Sequence, residues 1–401
     1  MASGVRPAAL PTSVRRGRAL EQWASGRQVY LDNLKVVLVA AIIAAHAVLG
    51  YADMEIWPYA EMRETTLSDA TTIGLLAVVG PFALFMIPLL FLVAGLLTPG
   101  SLERKRPGRY ARDRLLRLGV PFALVVLVVW PPLMYPIHPP GENPESYWKD
   151  FLTSGGWGLD AGVMWFVGVL LIFSLGYAGW VRWTGVGPGR LGQREVTVGR
   201  LLLLASAVAV TTFLLRLVYA YDSDEYLIDL NVYQWPQCLA LFGLGVVAAR
   251  QGWLIAVPDR LRRHCRTATL VAGAAFGGYM ATGAALGTLE DSAWRGGLNL
   301  DALAFTTLES AVTVVGPVWL LAVAQRHLDR PLRWAGPAVQ RSAYGAFIVQ
   351  GFVLIGLAVV LRPVPLPAEA KALLVAAGAV AGSFALARQL LNNVPGVRRV
   401  L

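Results

Sequence analysis

The chain has 401 residues, of which 56% are hydrophobic and only 15% are charged, and its mean hydropathy is +0.55. Soluble domains carry about a quarter charged residues, so this composition excludes a disordered chain, a disulfide scaffold and an ordinary soluble enzyme. The 35 basic and 25 acidic residues give a net charge of +10, which is typical of proteins that bind a polyanion or face an anionic membrane.

Ten apolar runs of about 20 residues follow one another along the chain, and each is long enough to cross ~30 Å of hydrocarbon. The connections between them leave almost no chain for a soluble domain. The runs predict an all-α fold, a polytopic membrane bundle of about ten transmembrane helices over residues 30–391. A disordered basic tail over 1–29 precedes this domain, and a short basic tail over 392–401 follows it. The runs cover 30–51, 72–97, 118–136, 162–181, 201–219, 232–250, 268–287, 301–324, 342–361 and 370–391.

The basic residues lie mostly on one side of this predicted bundle. Of the 35 Lys and Arg residues, 28 fall in the two tails, in every second connection and at the adjoining span ends. These stretches are 1–29, 98–117, 182–200, 250–267, 325–341 and 388–401. Short loops rich in Lys and Arg stay in the cytoplasm, so both termini are predicted to be cytoplasmic in a multi-pass protein of the plasma or inner membrane. The net charge then records orientation in the bilayer, and no nucleic-acid partner is predicted.

Two familiar site patterns are set aside. Residues 187–192 match the GxGxxG pattern, but this match lies between two predicted spans and lacks the strand and helix of a dinucleotide-binding unit. It is therefore interpreted as a turn. The two cysteines and four histidines have no zinc-like spacing, so no metal site is predicted.

The first span carries ionisable residues, which are costly in a bilayer and often mark functional sites. Lys35 and His46 are eleven residues apart, almost three helical turns, so they share one stripe at about 16 Å along the axis. Asp32 lies three residues before Lys35 on the same stripe. Two interpretations stay open: a functional set, or a helix-packing histidine above a lysine that reaches the inner interface.

The inner loop over 98–117 has the densest positive charge. Arg114 and Arg117 are i,i+3 neighbours at the start of the third span, and two guanidinium groups on one helix face suit a phosphate. Arg109 is a third candidate for the same anion. The alternative is an anchor for anionic lipid on the cytoplasmic face.

Glu309 lies in the middle of the eighth span. It is either protonated or paired across helices with Lys35, His46 or Arg216. Both a structural pair and a functional carboxylate are open at this point.

Arg216 lies one turn from the outer end of the fifth span. Its long side chain is expected to reach outward to Asp222 or Asp224, which follow the span.

Together these motifs resemble the integral-membrane acyltransferase family often called type three, and more closely its branch that includes periplasmic-glucan succinyltransferases. The likeness covers all ten predicted spans in order and spacing. The motifs that carry it are Lys35 with ten residues between it and His46, the end of the second span at Gly95, Arg114-Leu-Leu-Arg117 with Pro121 after it, and Trp165-Phe166.

The chain departs from the family pattern at two places. Many relatives carry a histidine before the Trp-Phe pair, where this chain has Val163 and Met164. Many also carry a histidine in the ninth span, where this chain has Gln350. His46 is then the single imidazole predicted inside the membrane.

The resemblance implies transfer of an acyl group, such as acetyl or succinyl, from cytoplasmic acyl-coenzyme A. The acceptor is expected to be a hydroxyl of an extracytoplasmic carbohydrate or a lipid-linked acceptor of the cell envelope. Arg114, Arg117, Arg109 and Trp165 are expected to bind the donor. The bilayer and these two substrates are the expected partners, and no metal takes part.

The resemblance also assigns roles to the charges inside the spans. His46 is expected to act as general base, with an acyl-imidazole as the variant route. Lys35, held by Asp32, is expected to bind a donor phosphate or to stabilise developing charge. Glu309 is expected to orient or polarise the imidazole if it lies within hydrogen-bond reach.

Two other classes of function fit the same spans. In a transporter or flippase, Lys35, His46, Glu309 and Arg216 would form a proton or anion pathway. In a non-catalytic membrane partner of a polymer synthase, the same residues would serve packing and topology.

Overall fold

The computed structural model describes residues 28–52, 64–130, 161–185, 196–222, 230–288 and 293–400. Residues 1–27 of the predicted tail over 1–29, the turn at 187–192 and Asp224 lie outside these ranges. Within them, all regular structure is helical. The α-helices are α1 (Val29–Tyr51), α2 (Asp69–Val78), α3 (Gly80–Leu84), α4 (Met86–Lys105), α5 (Pro107–Arg114), α6 (Val120–Leu124), α7 (Trp165–Thr184), α8 (Val198–Leu215), α9 (Trp235–Arg250), α10 (Asp259–Ala285), α11 (Leu300–His327), α12 (Pro337–Leu361), α13 (Ala368–Asn393) and α14 (Val397–Val400).

Eight helical segments within the described ranges are long and apolar enough to cross a membrane, which confirms the all-α, polytopic fold. The number of ten stays a prediction. The third predicted span is described only as far as residue 130, and the seventh lies within α10, whose first turns carry several charges. The eight segments are Val29–Tyr51, Gly80–Lys105, Gly162–Thr184, Val198–Leu215, Val232–Arg250, Leu300–His327, Pro337–Leu361 and Ala368–Asn393.

The helical run from Pro107 to Trp130 contains two π-helical turns, Leu115–Gly119 and Val125–Val129, on either side of α6. Such turns are rare inside α-helices and are frequent at functional sites. The first of them begins directly after Arg114 and contains Arg117. The regular i,i+3 geometry assumed for these two arginines therefore does not hold through this turn.

Helices α4 and α9 approach each other closely at two glycines. A Cβ atom at Gly95 would overlap the backbone carbonyl of Phe242, and a Cβ atom at Gly245 would overlap the carbonyl of Leu92. Small residues allow helix backbones to meet in this way, and packing rather than the hydrophobic effect drives helix association in lipid. The glycine at the end of the second predicted span thus has a packing function.

The inner end of the bundle is joined by Asn33, which is fully buried in α1. Its Nδ2 atom donates to the carbonyls of Leu328 (2.8 Å) and Arg330 (2.9 Å), and its Oδ1 atom accepts from Gln340 at 2.9 Å. These segments are all predicted to lie on the inner side. The contacts agree with the predicted alternation of spans, while the cytoplasmic location of the termini stays a prediction.

At the outer end of the bundle, Lys371 connects two segments. It lies at the outer start of the tenth predicted span and is 2% exposed. Its Nζ atom lies 2.8 Å from a carboxylate oxygen of Glu64 and 3.2 Å from the carbonyl of Arg362. Nearby, the Ser68 hydroxyl donates to Glu369 at 3.0 Å. Paired charges of this kind satisfy each other where water is scarce.

We expect Gly95→Val to destabilise the folded protein by roughly 2–3 kcal/mol, because the backbone of Phe242 cannot move away from the added side chain. The midpoint of thermal unfolding in detergent micelles measures this loss. The matched control is Gly176→Val in α7, where an added Cβ atom meets no heavy atom within 4 Å. Equal midpoints for the two variants would show that the α4–α9 contact is not close-packed.

Candidate active site

The predicted base, His46, lies in the last third of α1 and contacts α12. Its Nδ1 atom is 3.0 Å from Oε1 of Gln350. The Gln350 side chain is fully buried, and its Nε2 atom donates to the carbonyl of Phe347 at 3.0 Å. His46 itself keeps partial exposure. The residue that replaces a ninth-span histidine therefore contacts the first-span histidine directly.

Aromatic rings surround the turn of α12 that contacts His46. The Phe347 ring packs edge-on against Phe166, with 5.5 Å between ring centroids, and Phe166 packs edge-on against Phe91 at 5.0 Å. The Trp130 ring covers Gly351, where a Cβ atom would come within 2.8 Å of it. The turn of α12 that supplies Gln350 thus lies in apolar surroundings, where electrostatic interactions are stronger than in water.

The Trp165-Phe166 pair opens α7. Phe166 is the member that reaches the candidate site, through its contact with Phe347. Trp165 is half-buried and packs against the hydrophobic core. Its expected part in binding the donor stays a prediction.

Lys35 lies near the inner end of α1, and its ammonium is 3.4 Å from a carboxylate oxygen of Asp32. The Lys35 side chain is 41% exposed and that of Asp32 is 25% exposed. The structure places the two side chains together, as the sequence predicts. An exposed pair of this kind contributes little to stability, and its role at the inner face stays a prediction.

The arginines of the inner loop differ in their surroundings. Arg114 is half-buried, and its guanidinium carbon lies 5.0 Å from the ring centroid of Tyr110, which is buried. Arg109 and Arg117 are exposed. A cation over an aromatic face is held in place while its N–H groups stay available. Of the three arginines predicted to bind phosphate, Arg114 is therefore the one whose side chain is fixed by a described aromatic contact.

An acidic residue lies among these arginines. The Lys105 ammonium is 2.7 Å from a carboxylate oxygen of Asp113. This hydrogen bond and the nearby charges of Lys105, Arg117 and Arg109 lower the pKa of Asp113 below its ordinary value. Asp113 is therefore ionised at neutral pH and offsets part of the positive charge without removing it.

Tyr344 connects the arginine turn to α12. Pro121 has no N–H group, so it offers no backbone donor to the carbonyl of Arg117, four residues earlier. The Tyr344 hydroxyl donates to this carbonyl at 2.9 Å. One helix, α12, therefore contacts both the arginine turn and His46.

Arg216 does not reach outward as expected, and that prediction is wrong. Its side chain is buried, and its two terminal nitrogens lie 2.8 and 3.0 Å from the two carboxylate oxygens of Glu309. The guanidinium also stacks on the rings of Tyr221 and Tyr233, at 4.9 and 5.8 Å from their centroids. The reason is energetic, since Glu309 would otherwise be a buried, unpaired charge.

This pairing bears on the expected role of Glu309 at the imidazole. Both carboxylate oxygens of Glu309 face Arg216, whereas Nδ1 of His46 contacts Gln350. The sequence left open whether Glu309 forms a structural pair or acts as a functional carboxylate. The described contacts of Glu309 are those of a structural pair with Arg216.

Two residues of the candidate site were not predicted from the sequence. The sequence marks Gln350 only as a departure from the family pattern, and Tyr344 carries no motif. A signal for both does exist, because each is a polar side chain within an apolar span and polar groups at membrane depth need protein partners. The sequence alone does not show which partner each one meets.

Comparison with known proteins gives one result. A family model described as an acyltransferase domain matches residues 28–388, which is most of the chain. No curated protein and no solved structure matches the chain.

We expect Glu309→Leu to destabilise the protein by about 3–5 kcal/mol, because the variant leaves Arg216 buried without its partner. The double variant Arg216→Met with Glu309→Leu should recover much of this loss, because two apolar side chains of similar volume replace the pair. Thermal or denaturant unfolding in detergent micelles measures both effects.

The control is Arg262→Ala, which removes an exposed i,i+3 contact with Asp259 and should cost less than about 1 kcal/mol. A Glu309→Leu variant as stable as the parent would show that the Arg216–Glu309 pair does not hold α8 to α11.

Proposed function

The chain belongs to the type-three family of membrane acyltransferases. We propose that it transfers an acyl group from a donor on the cytoplasmic side of the membrane to an acceptor on the opposite side. The proposed donor is cytoplasmic acyl-coenzyme A, with acetyl or succinyl as the acyl group. The proposed acceptor is a hydroxyl of an extracytoplasmic carbohydrate or another envelope molecule. Membership in this family makes the chain an enzyme, so a transporter or a non-catalytic partner is not retained as its function.

The observation that carries the proposal is the pair of contacts made by α12. Tyr344 contacts the Arg117 turn on the side predicted to be cytoplasmic, and Gln350 contacts His46. The two contacts lie six residues apart on α12, which is about 9 Å along the helix axis. We propose that a donor whose phosphates bind the arginines has its thioester arm along α12, with the thioester at the imidazole.

The donor head group is proposed to lie at the inner loop. Coenzyme A carries several phosphates, and Arg114, Arg117 and Arg109 offer guanidinium groups that bind phosphate in a bidentate manner. The stacking of Arg114 on Tyr110 supports a fixed position for one of them. Lys35, with Asp32 beside it, is proposed to bind a further phosphate or to stabilise charge.

The imidazole of His46 is proposed to act as general base. It takes the proton from the acceptor hydroxyl while that oxygen attacks the thioester carbonyl. The new ester C–O bond forms, the C–S bond breaks, and the proton passes from the imidazolium to the coenzyme A thiolate. Glu309 is left out of this step because its carboxylate binds Arg216.

We expect His46→Ala to lower the transfer rate roughly 10²- to 10⁴-fold, because general-base catalysis contributes about this factor. The measurement is release of free coenzyme A from acetyl- and succinyl-coenzyme A by the purified protein in proteoliposomes, with periplasmic glucan as acceptor. Comparison of the two donors also identifies the acyl group.

The control for this variant is His264→Ala, which removes an exposed imidazole from α10 and should leave the rate unchanged. Transfer by correctly folded His46→Ala at the parental rate would contradict the proposed mechanism.

We expect the double variant Arg114→Ala with Arg117→Ala to raise the KM for the acyl-coenzyme A donor by about tenfold or more, because each lost charge-assisted hydrogen bond weakens binding. Steady-state kinetics with varied donor measures this change. The matched control is Arg260→Ala with Arg263→Ala, an exposed pair with the same spacing at the start of α10.

An equal change in the KM of the two double variants would indicate that Arg114 and Arg117 act only through the general positive charge of the inner face. A parental KM in both double variants would contradict the proposal that Arg114 and Arg117 bind the donor.

A further inference from the structure

Three polar groups form a short series in the apolar interior between α1 and α12. The carbonyl of Phe347 accepts from Nε2 of Gln350 at 3.0 Å, and Oε1 of Gln350 lies 3.0 Å from Nδ1 of His46. We propose that Gln350 is a positioning residue that holds His46 in the tautomer with the proton on Nδ1, so that Nε2 is the basic nitrogen. The inference rests on the proposed function in that it takes His46 to be the base.

The backbone carbonyl of Phe347 decides which way the amide of Gln350 points. A carbonyl oxygen only accepts hydrogen bonds, so the group of Gln350 that faces it must be the NH₂ group. The amide oxygen of Gln350 then points the other way, towards His46. The opposite orientation would bring two oxygen atoms together and leave the NH₂ group facing the imidazole.

The orientation of the amide in turn decides the tautomer of the imidazole. The Oε1 atom of Gln350 has no proton to give, so Nδ1 of His46 must donate in this contact. A neutral imidazole carries one proton, and with Nδ1 protonated the lone pair lies on Nε2. The backbone carbonyl of Phe347 in α12 therefore fixes, through Gln350, which ring nitrogen of His46 acts as the base.

The burial of Gln350 disfavours the other tautomer of His46. Gln350 has no exposed surface, and the rings of Phe347, on the same helical turn, and of Phe166, which packs against Phe347, are also buried. If His46 presented a lone pair at Nδ1, two acceptors would face each other without solvent to separate them, which is unfavourable in an apolar interior. An amide also holds the ring without adding a charge.

The test reads the tautomer directly. The protein, labelled with ¹⁵N in histidine, is reconstituted into phospholipid bilayers at about pH 8, where an unperturbed imidazole is neutral. The chain has four histidines, and the His46 resonances are those that disappear in His46→Ala. We expect a protonated Nδ1 and an unprotonated Nε2. A His46 ring with its proton on Nε2 in the parental protein would overturn the proposal, and this result needs no functional assay.

A variant tests the kinetic consequence. Gln350→Leu removes the acceptor at nearly constant size, so we expect a mixture of the two tautomers and a kcat lower by about 10- to 100-fold, with the donor KM changed less than about twofold. The matched control is Gln237→Leu, which removes another buried amide from a span and should keep both the tautomer and kcat. Unfolding midpoints of the two variants show whether a loss comes from misfolding.

The outcomes separate this inference from the proposed function. An inactive His46→Ala together with a Gln350→Leu variant of parental kcat and unchanged tautomer would refute the positioning role and leave the base in place. A fully active His46→Ala would refute the base, whereas the tautomer measured in the parental protein would still decide what Gln350 does.

Discussion

A charged or amide side chain inside a membrane bundle is costly unless another protein group satisfies it, because hydrocarbon offers no water. The bundle meets this constraint with contacts between residues that are far apart in the chain. Arg216 pairs with Glu309 between the end of α8 and α11, and His46 contacts Gln350 between α1 and α12. Each contact also fixes the axial position of two helices, because the polar groups meet at one depth only.

The same constraint shapes the inner end of α1, from which Lys35 emerges. The Tyr30 hydroxyl donates to the carbonyl of Leu254 at 2.8 Å and accepts from Gln325 at 3.3 Å, while Asn33 is bound to the segment that joins α11 to α12. Backbone carbonyls of two connections are thus satisfied by side chains of one helix. These contacts hold the start of α1 in place, and with it the face of this helix that carries Asp32, Lys35 and His46.

Chemistry in this family member is expected to use one imidazole with an amide partner. A carboxylate beside the ring would add a charge inside the membrane, and a second histidine would add another group that can be protonated. Gln350 does neither, yet its amide is directional because Phe347 holds its NH₂ group. Positioning by a neutral side chain is consistent with the apolar rings that surround this turn, where an extra charge would be costly.

The sequence by itself determined the all-helical membrane fold, because apolar runs of about 20 residues cross a bilayer as helices. It also determined the family, which the match of the acyltransferase domain confirms. It also placed Lys35 beside Asp32, since both lie on one helix. Only the tertiary structure decided that Arg216 pairs with Glu309 and that His46 meets Gln350. Helical periodicity fixes which residues of one helix share a face, but partners on different helices depend on how those helices pack.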